Sequence, residues 1–280
     1  MPQNYLEPPE AILAQLRPDC EKCFGLCCVA LCFSVGDGFP ADKPAGTPCP
    51  HLSEDFRCAI HDRLGAEGCG GCIAFDCLGA GQRVSQVTFE GRSWRQEASE
   101  EMFAAFLVMR QLHELSWYFA QALTYESESP LCERIKSALG DVLHEAMSPP
   151  QALKAINFTA HYAKAGGLLR DVSGQRRAEL ARGLKIKLPP ERARADYAGR
   201  DLRSHSLRCA GLRGACLIAA NLMDMDLTGT DLCGADLRDA NLSGADLSGS
   251  LFLTQPQLGA ARGDSGTKLP PFLTRPVQWV

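Results

Sequence analysis

The sequence has no long apolar run and no strong excess of charge of either sign. No stretch approaches the roughly 18 apolar residues that crossing a bilayer requires. The cationic and apolar regions of a signal peptide are both lacking from the opening segment MPQNYLEPPEAILAQLRPDC. A net charge of −4 and a pI near 5.9 give no general attraction to nucleic acid or to an anionic membrane. We therefore expect a cytoplasmic protein whose partner is neither a membrane nor a nucleic acid.

Common catalytic motifs are also missing. The sequence contains no G-x-S-x-G elbow, no phosphate-cradling loop and no H-E-x-x-H, and GAGQ at 79–82 lacks the rest of a nucleotide-binding fingerprint. These absences favour a non-catalytic protein. An open metal position with Glu54 or Asp55 as a base would instead make an enzyme, although no spacing argues for it.

Cysteine, by contrast, is abundant and clustered. Ten of the fourteen cysteines lie between Cys20 and Cys77, and five of them fall within CEKCFGLCCVALC. In a reducing compartment such thiols stay free or bind metal. The C-x-x-C pair Cys20–Cys23 suits one tetrahedral ion, whereas the adjacent pair Cys27–Cys28 suggests a second metal or a bridging arrangement. The candidate ligands are Cys20, Cys23, Cys27, Cys28, Cys49, Cys58, Cys69, Cys72 and Cys77.

Thiolate-rich sites suit zinc, iron–sulfur clusters or copper(I). Eight to ten cysteines would fill two zinc sites, so we predict Zn²⁺, with iron or an Fe–S cluster as the alternative and unligated thiols or disulfides as a third outcome. We expect His51 and His61 to be hydrogen-bonding neighbours rather than ligands. Short segments rich in Cys, Gly and Pro commonly need such a staple.

The cysteine region resembles the zinc- or iron-chelating family named for its CxxCxxCC motif. The matching residues are Cys20, Cys23, Cys27 and Cys28, then Pro48-Cys49 with Leu52, Cys58 with Ile60, and Cys69. The motif here is one residue longer, CxxCxxxCC, and His61 stands where the family usually has tyrosine. The resemblance implies a metal-binding domain.

The middle of the chain has helical periodicity. One apolar stripe runs from Val108 to Ala122, a second from Leu131 to Ala146 after the break at Ser129-Pro130, and a third starts near Pro149-Pro150 and continues to Leu169. A stretch with seven Lys/Arg and two Glu follows at 176–194. We interpret it as the end of the third helix and a solvated linker, since no aromatic residue is interleaved for stacking on bases.

A five-residue repeat occupies the C-terminal part. Leucine recurs every fifth residue from Leu202 to Leu247, Phe252 closes the series, and the position two residues earlier is usually alanine. Neither a helix nor a strand has this period; a fixed short period predicts a solenoid.

The repeat resembles the pentapeptide-repeat family, which implies a right-handed four-sided β-helix with the leucine and the small residue pointing inward. His205 and Met225 break the small-residue pattern, so we expect those corners to be distorted or to lie near an end. Some family members mimic DNA and protect gyrase, but residues 195–258 carry only eight acids against five arginines. We expect Leu258, Leu269, Phe272, Leu273 and Trp279 to cap the solenoid end.

We therefore predict a multidomain chain in four parts. These are a metal-stapled cysteine-rich domain (1–95), an α-helical region with a basic linker (96–194), a pentapeptide-repeat β-helix (195–258) and a capping tail (259–280). The leading hypothesis is a non-catalytic metal-binding protein whose solenoid serves as a scaffold for another protein. A zinc- or iron-dependent enzyme or maturation factor acting on a protein or peptide is the alternative, and topoisomerase protection is a weaker one.

Overall fold

The computed structural model describes residues 7–96, 99–125 and 128–279. The chain forms two compact units, Met1–Leu168 and Leu169–Val280. The helices in the described residues are α1 (Pro9–Gln15), α2 (Leu26–Ala30), α3 (Gly70–Ala74), α4 (Ala80–Arg83), α5 (Ser99–Tyr125), α6 (Pro130–Glu145), α7 (Pro150–Leu153), α8 (Phe158–Gly183) and α9 (Gln255–Gly259). None of them is long and apolar enough to cross a membrane.

The core of the first unit is built around α5, which packs against α1, α2, α4, α6 and α7. Its apolar stripe is buried at Leu112, Phe119 and Ala122, and Ile135 and Leu139 of α6 are buried as well. Both helices confirm the apolar stripes in the sequence. The break between them has a local cause, because Ser129 accepts a hydrogen bond from the Cys132 amide and Pro130 occupies the first turn of α6.

The predicted third helix is two helices, so the prediction of one continuous element was wrong. Helix α7 ends at Leu153, and α8 begins at Phe158. Asn157 precedes α8, and its side-chain oxygen accepts a hydrogen bond from the Ala160 amide at 3.2 Å. An asparagine at this position stabilises a new helix start, which the apolar periodicity alone did not reveal.

The cysteine-rich segment is made of short elements. One 3-10 turn, Cys20–Lys22, precedes α2, and two more, Val35–Asp37 and His61–Arg63, lie between α2 and α3. Two single-residue antiparallel bridges, Phe33 with Lys43 and Leu52 with Cys58, join the intervening loops. A π-helical turn, Val84–Thr88, continues directly from α4.

The second unit is a solenoid with four pentads in each coil. Parallel bridges join residues twenty positions apart, such as Asp196 with Cys216 and Asn221 with Asn241. The repeated leucines from Leu202 to Leu247 and Phe252 are at most 2% exposed, which confirms that they point inward. The expectation of a β-helix with strands needs correction, since the described residues form isolated bridges only. Each side of a coil is too short for a strand, because a turn follows every bridge.

The corners of the coils repeat a left-handed backbone conformation. Every fifth residue from Cys209 to Gly244 has a positive φ, including Ala219 (54°) and Asp224 (58°). Ser204, next to the exposed His205, is absent from this series among the described residues, so the corner at His205 departs from the pattern as predicted. The corner at Met225 is regular, contrary to the prediction. The flexible apolar side chain of methionine fills the interior there, with only 7% of it exposed.

The C-terminal tail completes the last coil. Arg262 and Lys268 form parallel bridges with Asn241 and Asp246, continuing the ladder beyond the leucine repeat. Trp279 is 5% exposed and its indole N–H donates to the Ala261 carbonyl at 3.0 Å. Leu258 and Leu273 are also buried, whereas Leu269 and Phe272 are half-buried. The tail therefore extends the ladder of bridges and buries three of the five residues named for the cap; that it caps the solenoid stays a prediction.

The basic stretch at 176–194 is not solvated throughout, which corrects our interpretation of it. Arg177 on α8 is only 4% exposed. Its guanidinium donates to the Cys209 carbonyl at 2.9 Å and pairs with Glu191. Glu191 itself forms a bridge with Gly211 and thus belongs to the first coil.

Candidate metal centre

The nine candidate cysteines all lie in the first unit, on short elements and the loops between them. Cys20 opens a 3-10 turn, and Cys27 and Cys28 lie on α2. Cys69 immediately precedes α3 and Cys72 lies within it. No disulfide joins any of the described cysteines. Contacts place Cys23 near Cys77 and Cys27 beside Cys28, and the charge of Cys28 acts on thiols of both groups described below.

The first thiol group comprises Cys20, Cys23, Cys27 and Cys77. A Cβ atom placed on Gly81 would lie 2.6 Å from Cys23 Sγ and 3.8 Å from Cys77 Sγ, so both sulfurs face the same glycine. The pKa of the Cys27 thiol is raised by its hydrogen bond to Cys28, by burial, and then by the charges of Cys23 and Cys77. Desolvation raises the pKa of Cys20, and the charges of Cys23, Cys28, Asp19 and Asp76 add to the shift.

The second thiol group comprises Cys28, Cys49, Cys58, Cys69 and Cys72. The backbone N–H of Cys49 donates to the Cys28 carbonyl at 2.9 Å, and this hydrogen bond brings the two residues together. Burial raises the pKa of the Cys72 thiol to about 12, and the charges of the other four members add to the shift. Burial also raises the pKa of Cys58, again with contributions from Cys28, Cys49 and Cys69.

One backbone amide donates a hydrogen bond to a sulfur of the first group, and neighbouring amides lower the pKa of three further thiols. The Leu26 amide lies 3.5 Å from Cys23 Sγ. Burial is the largest influence on the pKa of Cys49, Cys58 and Cys77 and raises each one, but amide hydrogen bonds oppose it. The donors are His51 for Cys49, Ile60 for Cys58, and Gly79 and Gly81 for Cys77. Hydrogen bonds to the charged form stabilise a thiolate, as they do around protein-bound metals.

The adjacent cysteines of α2 form a directly interacting pair. Cys27 Sγ and Cys28 Sγ lie 3.9 Å apart. Their hydrogen bond raises the pKa of Cys27 and lowers that of Cys28, because one thiol keeps its proton and donates it to the other sulfur. The two sulfurs therefore lie side by side, although the side chains of consecutive helical residues are offset by about 100° around the helix axis.

A buried lysine lies beside the second thiol group. Lys43 is 7% exposed, and its ammonium group donates to the carbonyls of Val29, Leu31, Pro44 and Thr47. Burial lowers its pKa, whereas the charges of Cys49 and Cys28 oppose that shift. A cation held at this place offsets negative charge on nearby thiolates.

Among the described residues, no group of three or more His, Cys, Asp or Glu side chains has the arrangement of a formed metal site. The sulfurs are gathered without being closed into a tetrahedron. The residues nevertheless fit a thiolate-bound metal in donor chemistry, in the amides directed at sulfur and in the nearby cation. They would hold the ion through Cys sulfurs.

Comparison with known proteins identifies the C-terminal array and a full-length relative. The family model for pentapeptide repeats matches residues 215–252 with eight copies. The uncharacterized protein YybG of Bacillus subtilis (strain 168) is 48% identical over 267 residues, which cover 94% of this chain and 95% of YybG. The chain belongs to the family of YybG and carries pentapeptide repeats.

Two solved pentapeptide repeat proteins also match part of the chain. Rfr23 from the cyanobacterium Cyanothece 51142 is 28% identical, with a TM-score of 0.20, over 31% of this chain and 69% of its own. A pentapeptide repeat protein from the Arabidopsis thaliana thylakoid lumen is 31% identical, with a TM-score of 0.19, over 30% of this chain and 57% of its own.

Two features of this pentapeptide-repeat protein escaped sequence reasoning. Lys43 lies within ADKPAGTPCP, where nothing in the local pattern marks a buried cation. Gly81 belongs to the GAGQ segment, which we examined only as a nucleotide-binding motif. The spacing of Gly79 and Gly81 after Cys77 was the available signal, because small residues allow amides to approach a sulfur.

A cleft with a volume of about 510 Å³ lies elsewhere in the first unit, beside the π-helical turn. Its lining includes Arg83, Val87, Phe89 and Met147, but none of the nine candidate cysteines. The Nε atom of Arg83 is buried there without a hydrogen-bond partner, and another of its nitrogens donates to the Ala146 carbonyl. The cleft and the thiols are thus separate features.

Proposed function

We propose that this pentapeptide-repeat protein is a non-catalytic, zinc-binding protein whose solenoid serves as an interaction surface for another protein. The observation that carries the metal-binding part is the grouping of nine cysteines with backbone amides donating to their sulfurs. The resemblance to the zinc- or iron-chelating family supports it. The finer description of the solenoid, a right-handed four-sided β-helix, belongs to the same proposal.

Zinc is favoured because every candidate ligand is a thiol and because four thiolates complete a structural zinc site. An iron site or Fe–S cluster would use the same donors and would give the protein a colour. A catalytic metal needs an open position that a substrate can reach. The cleft beside the π-helical turn, where a substrate could bind, is lined by no candidate cysteine. This separation supports a structural metal.

The charges on the solenoid support a protein partner better than a role as a DNA mimic. Several aspartates are paired with arginines, including Asp201 with Arg203 and Asp236 with Arg238, both at 2.7 Å. A mimic of DNA needs a continuous negative surface, but these pairs neutralise it. Exposed ion pairs contribute little to stability, so their side chains are available to a partner at little cost.

The test of metal binding is metal content by mass spectrometry together with an absorption spectrum, on full-length protein purified without oxygen. We expect zinc and a colourless solution. Chelation should then unfold residues 20–77, since binding free energy at a structural zinc site is also folding free energy. If the protein instead contains iron and its spectrum shows a thiolate charge-transfer band, the proposed metal is iron rather than zinc. Protein purified without any metal, and unable to take up zinc, would overturn it.

The interaction surface is tested separately by cross-linking in cells followed by mass spectrometry. The full chain is compared with a variant carrying Arg203→Glu and Arg238→Glu, which reverses the charge of two exposed side chains. We expect a partner of the unaltered chain to be lost from the variant. Identical cross-linking of both chains would argue against recognition by this surface.

A further inference from the structure

We propose that the cleft beside the π-helical turn is a binding site for a short apolar peptide in its free, zwitterionic form. Arg83 would bind the carboxylate of this ligand, and Glu90 and Glu101 would bind its ammonium group. The inference goes beyond the proposed function, because it needs neither the metal nor the solenoid, and the lining of the cleft contains no candidate cysteine.

The first step is the position of Arg83, the last residue of α4. Its Nη2 atom donates to the Ala146 carbonyl at 3.2 Å, and this hydrogen bond ties the guanidinium group to the end of α6. Its Nε atom is buried, and no acceptor among the described residues meets it. A buried donor that lacks an acceptor is unfavourable. An oxygen atom of a ligand in the cleft would supply that acceptor.

The second step is the kind of oxygen that suits this guanidinium group. Burial lowers the pKa of Arg83, because it withdraws the positive charge from water. Arginine presents its N–H groups as a planar fork that matches the geometry of a carboxylate. A carboxylate in the cleft would therefore supply both an acceptor for Nε–H and a negative charge for the buried cation.

The third step is the balance of charge in the lining. Arg83 and Arg92 both line the cleft, but so do Glu90 and Glu101. Glu101 lies in the first turn of α5. A simple anion would be attracted by the arginines and repelled by the two carboxylates, and a phosphate, with its larger charge, would be repelled more strongly. A zwitterion adds no net charge and offers an opposite charge to each kind of side chain.

The fourth step is the apolar part of the lining. Val87 and Met147 are 53% and 75% exposed, and they line the cleft together with the buried Phe89. Large apolar side chains that meet water in a concave site mark a surface that a ligand covers. The flexible side chain of methionine adapts to apolar groups of different shape. The ligand therefore carries apolar side chains between its charged ends.

The size of the cleft fits a dipeptide or a tripeptide. Its volume of about 510 Å³ lies within the range of about 300–1,000 Å³ that is typical of small-molecule sites. The π-helical turn Val84–Thr88 supplies Val87 and Thr88 to the lining. Turns of this kind are frequent at functional sites, which agrees with a ligand at this place.

The first test is isothermal titration calorimetry of the unaltered, full-length protein with leucyl-leucine, its C-terminal amide and its N-acetyl derivative. We expect leucyl-leucine to bind and each derivative to bind at least about tenfold more weakly, because each derivative loses one charge-assisted contact. No binding of leucyl-leucine at millimolar concentration, or equal affinity for the amide, would overturn the proposal. Equal affinity for the N-acetyl derivative would also overturn it, because the site would then recognise a carboxyl end alone, as at the C-terminus of a protein chain.

The second test uses Arg83→Gln, with Arg63→Gln as the matched control. Arg63 forms an exposed ion pair with Glu67 and lies outside the cleft. We expect Arg83→Gln to bind leucyl-leucine at least about tenfold more weakly and to bind the amide equally well, whereas the control keeps both affinities of the unaltered protein. A change in packing alone would leave the preference for the carboxylate in place. Unaltered binding by a folded Arg83→Gln variant would contradict the proposal.

Arg83→Gln also loses the hydrogen bond to Ala146, so a third measurement avoids any variant. Hydrogen–deuterium exchange of the unaltered protein is followed with and without leucyl-leucine. We expect the ligand to slow exchange in residues 83–92 and 146–151, which contain most of the lining. Slower exchange elsewhere in the chain but not in these residues would place the ligand outside the cleft and overturn the proposal. None of these outcomes alters the tests of zinc binding or of the solenoid.

Discussion

Replacement of Gly81 by alanine is expected to destabilise the first unit through a single misplaced methyl group. The new Cβ atom would lie 2.6 Å from Cys23 Sγ and 3.3 Å from Cys23 Cβ, well inside van der Waals contact. Relief of such overpacking typically costs about 1–3 kcal/mol. Gly81 lies in α4 and its φ is not positive, so alanine returns up to about 1 kcal/mol of helix propensity. The expected net loss is about 1–2 kcal/mol.

Gly140 provides a matched control. It lies in α6, also without a positive φ, and a Cβ atom there would meet nothing within 4 Å. Gly140→Ala should therefore gain up to about 1 kcal/mol from helix propensity alone. The two variants are expected to differ by about 2 kcal/mol in the free energy of unfolding, with opposite signs relative to the unaltered protein.

The assay is urea unfolding followed by far-ultraviolet circular dichroism, because most of the helices belong to the first unit. Equal changes in both variants would refute the reasoning. So would full stability of Gly81→Ala, because either result means that the sulfurs do not press on this backbone.

Three further outcomes follow from single side chains. Ala219→Gly should stabilise the solenoid by about 1 kcal/mol in urea unfolding, because alanine there has a φ of 54°. Ala220→Gly, at the buried inward position, should instead destabilise it by about 1 kcal/mol. Changes of the same sign in the two variants would contradict this. Arg177→Met should lower the free energy of unfolding by about 2–3 kcal/mol, because it leaves the Cys209 carbonyl without this hydrogen bond. Arg176→Met removes a surface ion pair and should lower it by at most about 0.5 kcal/mol. Similar urea midpoints for the two variants would contradict the burial argument. Burial lowers the pKa of His113 to about 4. The neutral side chain therefore contributes fully to the free energy of unfolding above pH 6.5, and this contribution, up to about 3 kcal/mol, is lost as the pH falls through 4. His113→Gln should flatten the pH dependence of unfolding, and an unchanged pH profile would contradict this.

The solenoid could be predicted from the sequence because its period is local. One leucine in every five residues requires equivalent inward positions, and the bridges twenty residues apart satisfy that requirement. The sequence did not reveal that the corners need left-handed residues, since non-glycine residues such as Cys209 and Asp239 also occupy these corners. The split of the third helix was missed for a related reason, because an apolar stripe continues across the break that Asn157 caps.

The cysteines show what local sequence patterns cannot predict. Clustering and spacing were sufficient to choose the nine cysteines as candidates, since those patterns are local. Their division into two groups depends on which backbone segments meet. Cys77 faces Cys23 only because Gly81 leaves room for both sulfurs, and Lys43 lies near Cys49 only because the loop around Phe33 and Lys43 closes. No spacing rule encodes such contacts between distant segments.

The cysteine-rich segment and the solenoid both need stabilisation beyond that of their individual elements. Both consist of elements too short to be stable alone. In the solenoid, each coil buries the same leucines and bonds to the next coil, so stability accumulates by repetition. The cysteine-rich segment has no repeat, and its helices α2 and α3 are five residues long. Its apolar contribution is limited to residues such as Leu26 and Val29. Cross-links through metal-bound sulfur would supply what repetition supplies in the solenoid, which is why the proposed metal sites lie at that end of the chain.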